Sequence, residues 1–329
     1  MQQHRQVVME CVFNYFKGGE IVNQEDKVGL ILSGGTLKGA AHAGAIEALA
    51  ELNIPIHCIA GTSAGSIVGT LYAHGYRSSE FKSLLKTFPG VKLLDYGFPI
   101  SSHLWYHTLK RCHRHRKAST LSVGLLKGRK LKRYVSRLLK GRNAQIPYYI
   151  VATDLNSGDP VVFSNAAETR HSDGLMPITN LPTSILASCA MPGIFSPVFT
   201  NGQLLVDGAI RHYAPVHVLR QAGCSKLILI NLLTLDTDWK PYTVLDIVAR
   251  SFEVMLRETI EDDIHGRDLT VIEPALSHVK WTSFDELDAC YAEGYNAVMR
   301  NRTKLIKMLN DPEPVGSGPV ISFQSANRN

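Results

Sequence analysis

Between Lys27 and Gly75 the chain runs twice through one order: an apolar run, a glycine turn, then a small-residue segment with helical spacing. KVGLILSGG (27–35) has the unbroken apolar run of a strand buried on both faces and feeding a turn. TLKGAAHAGAIEALAEL (36–52) follows with Leu, Ala and Ile at helical intervals. IPIHCIAG (54–61) is a second strand, and TSAGSIVGTLYAHG (62–75) a second helix that stops at Gly75. Strands and helices alternating through glycine turns predict an α/β fold, with a mostly parallel central sheet flanked by helices.

The rhythm breaks near residue 77 and resumes with strands at PYYIVATDL (147–155) and PVVFS (160–164). LPTSILASCAMPG (181–193) is expected as a helix with Pro182 in its first turn and Pro192-Gly193 at its end. GQLLVDGAI (202–210) reads as a short strand running into a turn at Asp207-Gly208. SKLILINLL (225–233) reads as a buried strand, and helices are expected over about 243–261 and 284–310. The expected organisation is an N-terminal extension (1–26), one α/β domain (27–310) whose helical insert (77–144) caps the site, and a flexible tail (311–329). With 45% hydrophobic and 19% charged residues, the 329-residue chain has ample material for a core.

No stretch approaches the length of apolar run that a membrane-spanning helix needs. The start, MQQHRQVVMECVFNYFKGGE, lacks an apolar core followed by a small-residue cleavage site. The six cysteines (Cys11, Cys58, Cys112, Cys189, Cys224, Cys290) form no Cys-x-x-Cys pair. That argues against a zinc site and a disulfide scaffold and fits a reducing, cytoplasmic setting. The segment 104–142 holds 13 of the 35 Lys and Arg and no Asp or Glu, so the net charge of +6 would be −7 without it. It reads either as a solvated helix and loop or as a contact for an anionic partner, most simply a membrane leaflet. Leu104, Trp105, Tyr106, Leu121, Leu125 and Leu126 would suit an interfacial face. No nucleic-acid-binding motif accompanies the patch, and nucleic acid is not an expected partner.

IAGTSAG (59–65) places Ser63 between Gly61 and Gly65 on the second strand-to-helix turn. Gly-x-Ser-x-Gly is common by chance, so context decides. A sharp turn here would expose the hydroxyl at the positive end of a helix dipole, and a Cβ at either glycine would collide with the neighbouring strand or helix. The first turn, SGGTLKGAAHAG, aims the amides of Gly34, Gly35 and Thr36 at an anion. It matches neither the nucleoside triphosphate loop nor the dinucleotide fingerprint. It is therefore read as an oxyanion hole beside Ser63, with Lys38 adding positive field. For the base, His212, His217, His265 and His278 stand in no context that marks them, whereas Asp207 ends a strand at the carboxyl edge of the sheet.

GGTLKG (34–39), GTSAG (61–65) and DGA (207–209), in this order, resemble the motifs of the patatin-like phospholipases. ASCAMPGIFSPV (187–198) and ATDLNSGDPVVFS (152–164) flank the third motif as in that family. The likeness is strongest to the short bacterial members similar to the catalytic domain of neuropathy target esterase, and it covers roughly 27–300. It implies a Ser63–Asp207 dyad without histidine, metal or cofactor. It also implies an oxyanion hole from Gly34, Gly35 and Thr36, with Lys38, Gly39, Gly61, Gly65 and Gly208 supporting the motifs. Phospholipid or lysophospholipid acyl esters would be the substrates, met at the inner membrane face. Thr36 departs from the glycine the family often has there, but keeps the amide. Asp207 would need a raised pKa or a very short contact to Ser63 to act as base. Two other readings stay open: a non-catalytic lipid- or membrane-binding protein on the same fold, and a histidine-assisted esterase. Cys189 is expected as a buried small residue, Thr153 and Asp154 as sheet-edge contacts, and Tyr291 with Tyr295 as a packed helix face.

Overall fold

The structure, a computed structural model, describes residues 27–96, 124–166, 175–236, 238–241, 243–264, 268–279 and 283–310. The extension (1–26), the tail (311–329), His265 and the first part of the basic segment, with Leu104, Trp105, Tyr106, Leu121 and HRHR (113–116), lie outside these residues.

Among the described residues nine strands form one sheet: β1 (Val28–Leu32), β2 (Cys58–Thr62), β3 (Tyr148–Asp154), β4 (Pro160–Ser164), β5 (Leu175–Pro177), β6 (Val198–Thr200), β7 (Gln203–Asp207), β8 (Lys226–Ile230) and β9 (Leu269–Ile272). The order is β5-β4-β3-β2-β1-β8-β9, and the five strands from β3 to β9 run parallel. β4 turns back antiparallel on β3. The helices are α1 (Ala40–Glu51), α2 (Ala64–Ala73), α3 (Ser78–Lys86), α4 (Arg129–Leu138), α5 (Leu181–Ser188), α6 (Ala209–His212), α7 (Val216–Gln221), α8 (Val244–Asp263), α9 (Leu287–Arg300) and α10 (Arg302–Asn310).

Side chains alternate across a strand, so an unbroken apolar run supplies two cores at once. Leu30, Leu32, Ile59 and Ile150 pack with α1, α2, α5 and α9 on one face. Ile31, Ala60, Tyr149 and Val151 pack with α7 and α8 on the other. Each such fully buried Leu or Ile contributes about 1.5–3 kcal/mol. On the first face α1 and α9 cross backbone to backbone. A Cβ on Gly44 would run into the Tyr291 carbonyl, and one on Gly294 into the carbonyl of Ala41. Tyr291 and Tyr295 secure the crossing through their hydroxyls, to Glu47 at 2.8 Å and Glu51 at 2.6 Å.

The pairing of β3 matters most for the site. One edge of β3 carries β4; the other carries β2 up to Thr62↔Val151 and then β7 from Asp207↔Ala152. β2 and β7 thus arrive from opposite directions and stop head to head on adjacent residues of one strand.

Two helix bounds need correction, and two further features were not foreseen. α5 ends at Ser188, short of Pro192-Gly193, because a proline ring displaces the carbonyl four residues back, here that of Ser188. The 284–310 helix is two helices, α9 and α10, with Asn301 between them. β6 precedes β7 through a hairpin at Asn201-Gly202, whose positive φ values of 52° and 80° suit that pair. Finally, the sulfurs of Cys58 and Cys224 meet in the core, with Cα atoms 7.8 Å apart. That exceeds the roughly 4.4–6.8 Å usual for a disulfide. Gly29, opposite Cys58 on β1, has no side chain to part them. Among the described residues it is one buried contact.

Candidate active site

Ser63 sits between β2 and α2 with φ 52° and ψ −120°, a backbone conformation that costs a non-glycine residue about 1–3 kcal/mol. Hydrogen bonds hold it there. Its N–H donates to Ser188 Oγ at 2.9 Å, while its carbonyl accepts from Ser66 N–H at 2.9 Å and Ser66 Oγ at 2.6 Å. The flanking glycines are required by backbone, as expected. A Cβ on Gly61 would strike the Gly65 carbonyl, and one on Gly65 the carbonyls of Leu32 and Ser33. With its backbone fixed and α2 behind it, Ser63 is 9% exposed.

Asp207 ends β7 and is 4% exposed. Its N–H donates to the Ala190 carbonyl at 3.0 Å and its own carbonyl accepts from Thr153 Oγ1 at 3.1 Å, which fixes the main chain. Gly208 is obligatory next, since a Cβ there would meet the Val151 carbonyl. Oδ1 accepts from Ala209 N–H at 2.9 Å, and the Ser63 hydroxyl is the side-chain hydrogen-bonding neighbour. Burial raises the Asp207 pKa to about 7 against those two hydrogen bonds, which pull it down. Two residues far apart in the chain are thus brought together by β3.

The first turn lies beside them. Gly35 has φ 150° and Thr36 φ 50°, and among the described residues their N–H groups meet no acceptor. Gly34 differs from expectation: its N–H is committed to the Tyr213 carbonyl at 3.1 Å, and a Cβ there would press on the Tyr213 ring at 2.8 Å. It shapes the turn and offers no donor, leaving Gly35 and Thr36 as the amide pair. Gly39 lets the turn pack on Ala64, at the start of α2. Lys38 follows in the same turn. It is 8% exposed, with its pKa lowered by burial, and its charged neighbours are Glu253, Arg250 and Asp236 on the side of α8.

The remaining candidates fall as follows. Cys189 is buried, 4.0 Å from Ser66 Oγ, and its thiol pKa is raised by burial and by the Asp207 charge, so the thiol stays protonated. Asp154 accepts from Asn156 N–H and Gln203 Nε2, as a sheet-edge residue does. The His212 ring lies against His217, with centroids 4.0 Å apart, and exposed His278 pairs with Glu286 at 3.4 Å. Among the described residues no three His, Cys, Asp or Glu converge as metal ligands. No helix there is long and apolar enough to cross a membrane. Thr153, expected as a sheet-edge contact, holds the Asp207 main chain; reading the sequence alone missed Ser188 and Ser66, which hold that of Ser63. Nothing in their local sequence distinguishes them from packing residues.

A model of the family described as patatin-like phospholipase matches residues 30–220, from β1 into α7. The chain belongs to the patatin-like phospholipase family. Curated relatives of this patatin-like chain include the lysophospholipase NTE1 of Kluyveromyces lactis, 24% identical over 82% of this chain and 18% of that protein. The NTE1 lysophospholipase of Saccharomyces cerevisiae is 27% identical over 64% of this chain and 11% of that protein. The Bacillus subtilis protein YqhO is 29% identical over 56% of this chain and 64% of its own length. The chain thus spans about a fifth or less of the yeast relatives. Among solved structures, VipD from Legionella pneumophila is 14% identical with a TM-score of 0.43, over 85% of this chain and 67% of that one. ExoU from Pseudomonas aeruginosa is 18% identical with a TM-score of 0.42, over 87% of this chain and 53% of that one.

Proposed function

We propose that this chain is a serine lipid acyl hydrolase that works through Ser63 and Asp207. The observation that carries the reading is a strained, exactingly held serine whose hydroxyl neighbours a buried carboxyl of pKa about 7. A base whose pKa lies near working pH combines the right protonation state with a useful driving force. As Ser63 Oγ attacks an ester carbonyl, its proton passes to the Asp207 carboxylate. The oxyanion forms against the amides of Gly35 and Thr36. Protonated Asp207 then gives that proton to the leaving alcohol as the C–O bond breaks, leaving an acyl-Ser63 ester. Water attacks next, giving one proton to Asp207, and Asp207 returns it to Ser63 as the fatty acid departs.

Relatives bearing the lysophospholipase name make lysophospholipid and phospholipid acyl esters the favoured substrates. The basic segment 104–142, with exposed Arg129, Lys130 and Arg133 on α4, supports peripheral docking on an anionic leaflet. An Asp95 carboxylate caps α4, accepting from Gly128 and Arg129 N–H at 2.8 Å each, so the basic face is presented on a fixed helix. Incubation with a fluorophosphonate probe and peptide mapping tests the chemistry: the adduct is expected on Ser63 alone and lost in Ser63→Ala. Labelling at another residue, or none with anionic liposomes present, would defeat the proposal. Docking is tested separately by neutralising Lys127, Arg129, Lys130, Lys132 and Arg133, and unchanged liposome binding would remove it.

A further inference from the structure

α2 has two ends. Ser63 stands at its N-terminus; at the other end, closed by His74, a cavity of about 500 Å³ opens between α2, α4 and α5. Three cations line it, Arg137, Lys140 and Arg142, together with the side chain of Ser136 and the buried His74 ring. Its lining includes no Asp or Glu. The remaining wall is apolar, from Leu139, Leu181 and Pro182.

Cations at the end of a helix ordinarily answer its free carbonyls. For α2 that role is already filled: Arg77 donates to the Tyr72 carbonyl at 3.3 Å, and the Gln145 N–H to that of Ala73 at 2.7 Å. Arg142 is held by Glu80 and by the Tyr76 ring, 4.0 Å from its guanidinium, so one donor of the cavity is positioned in advance. Among the described residues, the ion pairs engage neither Arg137 nor Lys140. His74 is fixed too. Its Nδ1–H donates to the Thr70 carbonyl at 2.8 Å, and the ring leans on Tyr148, centroids 5.3 Å apart.

Preset guanidinium, two further cations and a hydroxyl suit a compact oxyanion of high charge, while the apolar wall suits a short carbon skeleton attached to it. We propose that this cavity binds a phosphomonoester, carried either by a small soluble molecule or by the headgroup of phosphatidic acid in a bilayer. The site stands apart from Ser63 and does not depend on the hydrolase reading.

The test uses the full chain and two probes. Calorimetry with sn-glycerol 3-phosphate reads the soluble source. Flotation with phosphatidylcholine vesicles, carrying phosphatidic acid or charge-matched phosphatidylglycerol, reads the bilayer source. Arg137→Glu with Lys140→Glu changes two exposed residues of the cavity, and Lys304→Glu with Lys307→Glu changes two exposed cations of α10, outside both the cavity and the basic segment. Saturable binding of glycerol 3-phosphate, or preference for phosphatidic acid over phosphatidylglycerol, is expected. Either should weaken about tenfold or more in the cavity variant and about threefold or less in the other. Equal weakening in both variants would reduce the effect to net charge and overturn the site. So would the absence of both saturable binding and the lipid preference.

Discussion

β1 and β2 are neighbours in the sheet, and each hands the chain to a helix through a glycine turn, yet the turns offer opposite chemistry. After β2 the Ser63 N–H is taken by Ser188 and its carbonyl by Ser66, so only the hydroxyl is left to act. After β1 the Gly34 N–H is taken by Tyr213, while those of Gly35 and Thr36 are left. In both turns the committed main-chain groups hold the geometry, and the groups left over are those the proposed chemistry uses. Shape alone would have made them equivalent.

Ser63→Ala is the strongest challenge to that division, since it removes the one group the second turn leaves over. It should cut ester hydrolysis about 10⁴-fold or more. A hundredth of wild-type turnover surviving would move the nucleophile elsewhere. Asp207→Asn should cost about 10³-fold in kcat, with an opposite effect on stability. The folded pKa of about 7 stands above the unfolded 3.8, so the folded wild type keeps a proton that the unfolded chain gives up. Wild-type stability therefore falls as pH rises from about 4 to 7, by roughly 4 kcal/mol at most, and is level above that. Melting curves should show Asp207→Asn more stable than wild type at pH 8, with the gap closing near pH 4. Wild-type kcat/KM should fall about tenfold per pH unit below 7. Failure of either trend would mean an ordinary carboxylate at Asp207.

The first turn gives a finer contrast. Thr36→Pro deletes an amide and cannot keep the φ of 50°, so it should lower kcat at least about 10²-fold and lower Tm with it. Thr36→Gly keeps the amide and relieves the positive φ, so kcat should hold within about threefold while Tm rises, for a gain of about 1 kcal/mol. Gly34→Ala should act through the Tyr213 ring, costing about 1–3 kcal/mol of stability with kcat nearly unchanged. A hundredfold fall in kcat at unchanged Tm would return Gly34 to the hole.

Much of this was legible in the sequence because it is local. The β1 and β2 runs, the two turns, and Asp207 at a strand end are written in contiguous residues. The fate of the Gly34 amide was not, since its acceptor belongs to Tyr213, beyond most of the sheet. Nor were the charged neighbours of Lys38, which come from after β8 and from α8. Asn201-Gly202 was a readable hairpin signal that composition-level reading passed over. The head-to-head arrival of β2 and β7 is the least readable feature, because strand pairing between distant segments leaves no local mark.

That arrival sets the spacing of Ser63 and Asp207 on Val151 and Ala152, two adjacent residues of β3, and not along the chain that joins them. Length added to the insert, or to the loops around β4 and β5, leaves this gauge untouched; one residue added within β3 would spoil it. A scaffold of this kind can exchange whole stretches of its surface, generation after generation, and still deliver Ser63 and Asp207 at the same separation.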